Sequence, residues 1–206
     1  MIIDNFDNIK TLLNFENDYF YFIQIIQRKK EIPDLGSNNR IVRSYMISNA
    51  EKFDKIKDEV IQLCEMFNAR AYIHLNRRRW SNISIECLKH NADLIASGQH
   101  EAIKSSLETI VGRNNGEHST TKTWIIDIDD VSTDTFAHDP LYKDMIEYLT
   151  DLQMLGGREP MIKLIKTRSG WHIITKPFNT QLFSTKYPNI DIHKDNPTVL
   201  YVGNIK

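Results

Sequence analysis

Asp127 and Asp129 are the residues whose type and spacing say most about chemistry. They stand two apart in Trp124-Ile125-Ile126-Asp127-Ile128-Asp129-Asp130, an apolar run that ends in carboxylates. Along a β-strand, side chains alternate faces, so Asp127 and Asp129 point the same way and Asp130 points away. Two carboxylates held side by side on a strand repel each other. The usual compensation is a divalent cation, and oxygen-rich sites suit Mg²⁺ or Mn²⁺. Such an ion commonly grips a phosphate, so this strand points to phosphoryl or nucleotidyl chemistry.

Two later segments could join it. In Thr167-Arg168-Ser169-Gly170-Trp171-His172, Gly170 permits close backbone approach to a ligand. Arg168 offers a guanidinium fork, Ser169 a hydroxyl and His172 an imidazole, while Lys163 and Lys166 add positive charge just upstream. This fits a triphosphate cradle; the plainer reading is a β-hairpin with a polar turn. In Asn189-Ile190-Asp191-Ile192-His193, Asp191 lies on the opposite strand face from both isoleucines. His193 shares the face of Asp191, where it either packs or supports a metal site.

The elements that must position these groups can be read from periodicity. Asn8 to Lys29 carries Ile9, Leu12, Leu13, Phe20, Phe22, Ile23 and Ile26 at spacings that predict one helix or two. Arg40 to Ser48 reads as a strand, and Ser48 or Asn49 caps a helix reaching roughly Phe67. Ala69 to Leu75 reads as a second strand, completing a strand–helix–strand unit. Ser84 to Ile110 is helical with a break at Ser97-Gly98, and Arg113 to His118 is a loop. Pro140 to Leu155 is amphipathic and ends at Gly156-Gly157. Short strands follow over 161–165, 171–175, 189–193 and 198–202. The expected fold class is α+β, α/β-like and two-lobed, with a central mixed sheet carrying the acidic motifs and helices flanking it. The expected organisation is a single catalytic domain, 1–206. It comprises a helical N-terminal segment 1–39, a strand–helix–strand lobe 40–120 and an acidic-motif lobe 121–206.

Composition narrows the class. Of 206 residues, 41% are hydrophobic and 26% charged, which suits a folded globular chain rather than a disordered one. No apolar run approaches the roughly 20 residues of a membrane span, and the N-terminus lacks a signal-peptide pattern. The expectation is a cytoplasmic protein, of the kind a phage or plasmid replication system would use. Cys64 and Cys87 have no CxxC partner and read as small buried hydrophobes. The net charge of −1 advertises no polyanion binding, but local runs do: Arg77-Arg78-Arg79-Trp80 and Gln27-Arg28-Lys29-Lys30. The plainer reading of each run is solvated surface. His74 reads as a core or edge residue; His90, His100, His118 and His138 have no ligand-like spacing.

Taken in order, the three segments resemble the archaeo-eukaryotic primase, or primase–polymerase, superfamily. Its pattern is an apolar strand with Asp-x-Asp, a short Ser-x-His-like motif and an apolar–Asp–apolar motif. Here these match Asp127 and Asp129, Ser169-Gly170-Trp171-His172, and Asp191, over roughly residues 40 to 202. Two residues separate Ser169 from His172, where one is commoner. The resemblance implies a two-metal nucleotidyltransferase that joins nucleotides to a 3′-hydroxyl on a nucleic-acid template. Asp127, Asp129 and Asp191 would hold Mg²⁺ or Mn²⁺, and His172, Ser169, Arg168 and Lys166 would bind the nucleotide. Arg77, Arg78 and Arg79 would contact the template. The implied partners are nucleoside triphosphates, single-stranded or primed nucleic acid, and a helicase or other replication protein, with no membrane.

Two rival readings stand beside it. Asp127-Ile128-Asp129-Asp130-Val131 also resembles the first motif of haloacid-dehalogenase-type phosphatases, with Asp127 as nucleophile, Thr167 as the second motif and Asp191 or Asp195 as the last. That reading leaves Gly170-Trp171-His172 without a job, and 126 residues precede a strand that normally opens that fold. The other rival is a non-catalytic nucleic-acid-binding protein on a primase-like scaffold. Geometry discriminates: a polymerase brings Asp127, Asp129, Asp191 and His172 together, whereas a phosphatase brings together Asp127, Thr167, a lysine and Asp191 or Asp195.

Overall fold

The computed structural model describes residues 1–36, 38–114, 116, 122–129 and 139–204. Asp130, Val131, His118 and His138 lie outside the described residues.

The chain is α+β, built on two antiparallel sheets. The first contains β1 (Ile3–Asp4), β2 (Tyr19–Gln27), β3 (Arg40–Ile47), β4 (Arg70–Arg79) and β9 (Thr198–Val202), in the order β1-β9-β4-β2-β3. The second contains β5 (Trp124–Asp129), β6 (Ile162–Lys166), β7 (Gly170–Thr175) and β8 (Asp191–His193), in the order β6-β7-β5-β8. The single mixed sheet expected from the sequence is therefore corrected to two sheets whose described pairings are all antiparallel. The acidic motifs share the second.

The largest departure is at the N-terminus. Helix α1 covers only Phe6–Lys10, and Tyr19–Gln27 is a strand between β3 and β4. The reason is burial on both faces. Tyr21, Ile23 and Ile25 pack toward helices α2 (Ala50–Lys55) and α3 (Lys57–Met66) through Phe53, Val60 and Cys64. Phe20 and Phe22 pack the other way, onto Ile83 of α4 (Trp80–Ala96) and Val111 of α5 (Ser106–Arg113). A strand apolar on both faces has no two-residue alternation, so its apolar spacing passes for a helix. The strand–helix–strand unit over 40–75 has its elements in place, but β2 sits between β3 and β4. Strand β9 returns to the first sheet, so the sheets cut across the boundaries 1–39, 40–120 and 121–206.

On the second sheet, Ile126, Ile128 and Ile173 are covered by helix α6 (Pro140–Leu155) and helix α7 (Thr180–Lys186). The α6 sequence explains its own limits. Asp139 caps it, accepting from the Leu141 N–H at 2.8 Å, and Pro140 takes the first turn, where no donor is needed. Met145, Leu149 and Leu152 bury one face, and Gly157 leaves in the left-handed region at φ +69°. Asn179 caps α7 by accepting from the N–H groups of Gln181 and Leu182.

Polar side chains bind the two sheets together. Asn5, 2% exposed, donates to the carbonyls of Lys166 and Val199. Asn76 donates to the carbonyls of Thr123 and Lys194 and accepts from the Thr123 N–H. These bonds fix the second sheet against β9 and β4, and the candidate site lies along that junction.

Candidate functional site

Register assembles the site. Asp127 pairs with His172 on β7 and with Asp191 on β8. Residues directly opposite in antiparallel strands share a face, with Cβ atoms about 5 Å apart. Asp191, Asp127 and His172 therefore form one cross-strand row. Asp129 lies one pleat further on the same face, opposite Gly170, and His193 sits opposite Ile125. The other face of the same strands, carrying Ile126, Ile128 and Ile173, is buried under α6 and α7.

His172 is held at both ring nitrogens. Nδ1 lies 2.8 Å from Oγ1 of Thr198, a fully buried residue of β9, and Nε2 lies 3.4 Å from Asp127 Oδ1. Asp127 Oδ2 faces His193 Nε2 at 3.8 Å. The hydrogen bond from His172 holds the Asp127 carboxyl below the usual carboxylate range; partial burial opposes this, and the charges of His172 and His193 reinforce it. Asp127 is thus an anion at neutral pH.

Gly170 makes this spacing possible. A Cβ built there would stand 1.9 Å from the Ile128 carbonyl oxygen. The close approach expected at Gly170 is therefore to strand β5. The turn before it is closed by Thr167, whose N–H donates to the Gly170 carbonyl and whose Oγ1 accepts from the Gly170 N–H.

The row opens onto a cleft of about 500 Å³. Asp127, Asp129, His172 and His193 line it from the second sheet, together with Arg168 and Ser169 of the turn. Across from them stand Arg28, Lys30 and Arg70. Arg70 is 6% exposed and pairs with both carboxylate oxygens of Glu31. Glu31 also lies 3.4 Å from Arg168 and 3.8 Å from Arg28. One half-buried carboxylate thus gathers three guanidinium groups from three segments of the chain. A carboxylate floor facing a guanidinium wall suits a ligand that carries phosphates and a metal ion together.

The remaining expected residues fall as follows. Asp191 is in the row but exposed at the sheet edge, outside the residues lining the cleft. Lys166 pairs with Trp171 and so shares the opposite face from His172; it is not a lining residue. The arginine run continues β4, with Arg77 and Arg78 buried and Arg79 exposed. Arg77 stacks on Tyr19 at 4.1 Å and pairs with Glu16 at 2.9 Å. Arg78 is 1% exposed and donates to the Asn76 and Val111 carbonyls, and burial pulls its pKa down to about 10. Arg79 is exposed and bonded to Asp18 at 2.9 Å. At Arg77 and Arg78, where the sequence led to the expectation of a template contact, the guanidinium groups face protein. Cys64 is buried as expected, its thiol pushed up to about 12, while Cys87 is half-buried.

Arg28, Lys30, Arg70, Glu31 and Thr198 are site residues that the motifs did not indicate. Only the Arg28–Lys30 run carried a signal, as a basic cluster without an assignment. Among the described residues, no three His, Cys, Asp or Glu side chains stand close enough to enclose a metal ion. The donor chemistry nevertheless fits a hard cation: Asp127 is ionised, and the carboxylates of Asp129 and Asp191 are exposed on its face.

Comparison with protein-family models finds no match, and comparisons with curated proteins and with solved structures find none either. No described helix is long and apolar enough to cross a membrane.

Proposed function

We propose that this chain is a metal-dependent nucleotidyltransferase of the primase–polymerase kind, extending a 3′-hydroxyl on a nucleic-acid template. The observation that carries the reading is the cross-strand row Asp191–Asp127–His172, of which Asp127 and His172, with Asp129, line a cleft walled by Arg28, Arg70 and Arg168. Asp127, Asp129 and Asp191 would hold Mg²⁺ or Mn²⁺, which when bound acidifies the attacking hydroxyl and neutralises the leaving pyrophosphate. His172, held at Nδ1 by Thr198, would share its Nε2–H between Asp127, 3.4 Å away, and a phosphate oxygen of the incoming nucleotide. Arg168 and Arg28 clamp the triphosphate, with Ser169 at the turn beside them. The Glu31–Arg70 pair keeps that wall standing when no nucleotide is bound.

The phosphatase reading has less support. Thr167 lines the cleft, but its hydroxyl closes the turn to Gly170. Asp195 is directed away, to Lys122 at 3.1 Å and Asn76 at 3.3 Å.

The test is incubation of the protein with Mn²⁺ or Mg²⁺, single-stranded or primed template and labelled nucleotides, beside a generic phosphomonoester. Metal-dependent incorporation that is lost in Asp127→Asn and Asp129→Asn is expected. Phosphomonoester hydrolysis without incorporation would overturn the reading in favour of the phosphatase.

A further inference from the structure

We infer that the described residues of the turn joining β2 to β3, 28–36 and 38–39, together with Arg40, are the surface that holds a single-stranded nucleic acid. This inference rests on the proposed nucleotidyltransferase reading. It gives the template or primer strand a location that the Arg77–Arg79 run does not supply.

The turn carries Arg28, Lys29 and Lys30 in succession, and Arg40 follows at the start of β3, opposite Gln27. Lys29, Lys30 and Arg40 are exposed, and among the described residues none of the three has an acidic partner. The turn's two acids do not cancel them. Glu31 is held by Arg70 and shared with Arg28 and Arg168. Asp34 is exposed on the short 3₁₀ turn Pro33–Leu35. By contrast, Arg77 and Arg79 each have an acid of their own, Glu16 and Asp18.

Position separates a polymer from a mononucleotide. Arg28 and Lys30 line the cleft beside Asp127 and Asp129, whereas Lys29 and Arg40 lie outside its lining. Positive charge therefore continues from inside the cleft onto the outer surface of the turn. A single triphosphate occupies the inner part only, while a chain of phosphates can follow both. The turn is also anchored: the Lys29 N–H donates to Asn39 Oδ1 at 3.0 Å, and the Glu31–Arg70 pair ties it to β4. A strand lying on it is thus held at a fixed distance from the carboxylate row.

The experiment measures binding of labelled oligothymidylate and oligouridylate, each of about 16 nucleotides, without nucleotide, from about 50 to 200 mM salt. The double variant Lys29→Ala/Arg40→Ala should lower the slope of log affinity against log salt by about 1.4, at about 0.7 per lost phosphate contact. Lys29→Glu/Arg40→Glu should weaken binding further. Both substitutions are on exposed side chains, and triphosphate binding, measured separately, should be unchanged. Arg79→Ala should leave the slope as it is. The two oligonucleotides distinguish DNA from RNA as the strand held. An unchanged slope in the double variant, loss of binding in Arg79→Ala instead, or binding to anionic vesicles with none to either oligonucleotide would overturn the inference. Slope loss in a protein that incorporates no nucleotide would retain this surface and reject the nucleotidyltransferase reading.

Discussion

Asp127 carries the heaviest load of any single residue, because both of its oxygens face histidines and its strand is paired on both sides. Asp127→Asn should fold normally, since it removes a charge without removing volume, and should lose metal-dependent incorporation by at least a hundredfold, the scale of removing one key electrostatic contact. Circular dichroism and the incorporation assay together check this. Thr198 acts at one remove. Thr198→Val leaves His172 Nδ1 without its partner, a loss of about 1 kcal/mol; triphosphate affinity should fall several-fold by calorimetry while the metal requirement is kept. Arg78 makes the opposite case. Arg78→Ala strands the buried Val111 carbonyl and opens space beside Phe22, so it should destabilise the chain by about 2 kcal/mol or more in urea unfolding. Its effect on nucleic-acid affinity should be small.

Strand β7 is the element whose placement decides the site. Gly170→Ala would drive a methyl group into the Ile128 carbonyl. Strand β7 would have to move off β5, carrying His172 away from Asp127. The variant should lose about 2 kcal/mol or more in urea unfolding and lose triphosphate binding with it. Wild-type stability would show that the strands give more than their register suggests. This element was legible in the sequence because alternation along a strand is a local rule. The positions of Asp127, Asp129, His172 and Asp191 followed from it, and pairing then aligned them. Strand β2 was not legible, because burial on both faces erases the alternation. Helix α7 was missed because a seven-residue helix with one buried side chain, Phe183, gives almost no periodic signal. Arg70 was illegible for a different reason: nothing in Ala69-Arg70-Ala71 says that Glu31, 39 residues earlier, will meet it.

For the molecule as a whole, the junction between the two sheets is both the site and a weak point in acid. His74 of β4 stacks near Phe22 of β2, and desolvation, with the charge of Arg78, pulls its pKa down to about 3 from 6.5; a hydrogen bond with the Asp195 backbone opposes this weakly. Between those values the unfolded chain binds a proton that the folded chain does not. Stability should therefore fall as pH drops from about 6.5 toward 3, by up to about 1.4 kcal/mol per pH unit. His74→Gln should flatten that part of the profile in urea titrations at several pH values, whereas an unaltered profile would place the acid sensitivity elsewhere. The central claim is that Asp127, Asp129 and Asp191 bind divalent ions beside His172. The most direct measurement is the broadening of histidine ring signals in nuclear magnetic resonance on adding substoichiometric Mn²⁺. The row predicts selective broadening of His172 and His193, reversed by excess Mg²⁺ and absent in Asp127→Asn, with His74 and His90 unaffected. Uniform broadening, or broadening that persists in Asp127→Asn, would contradict it.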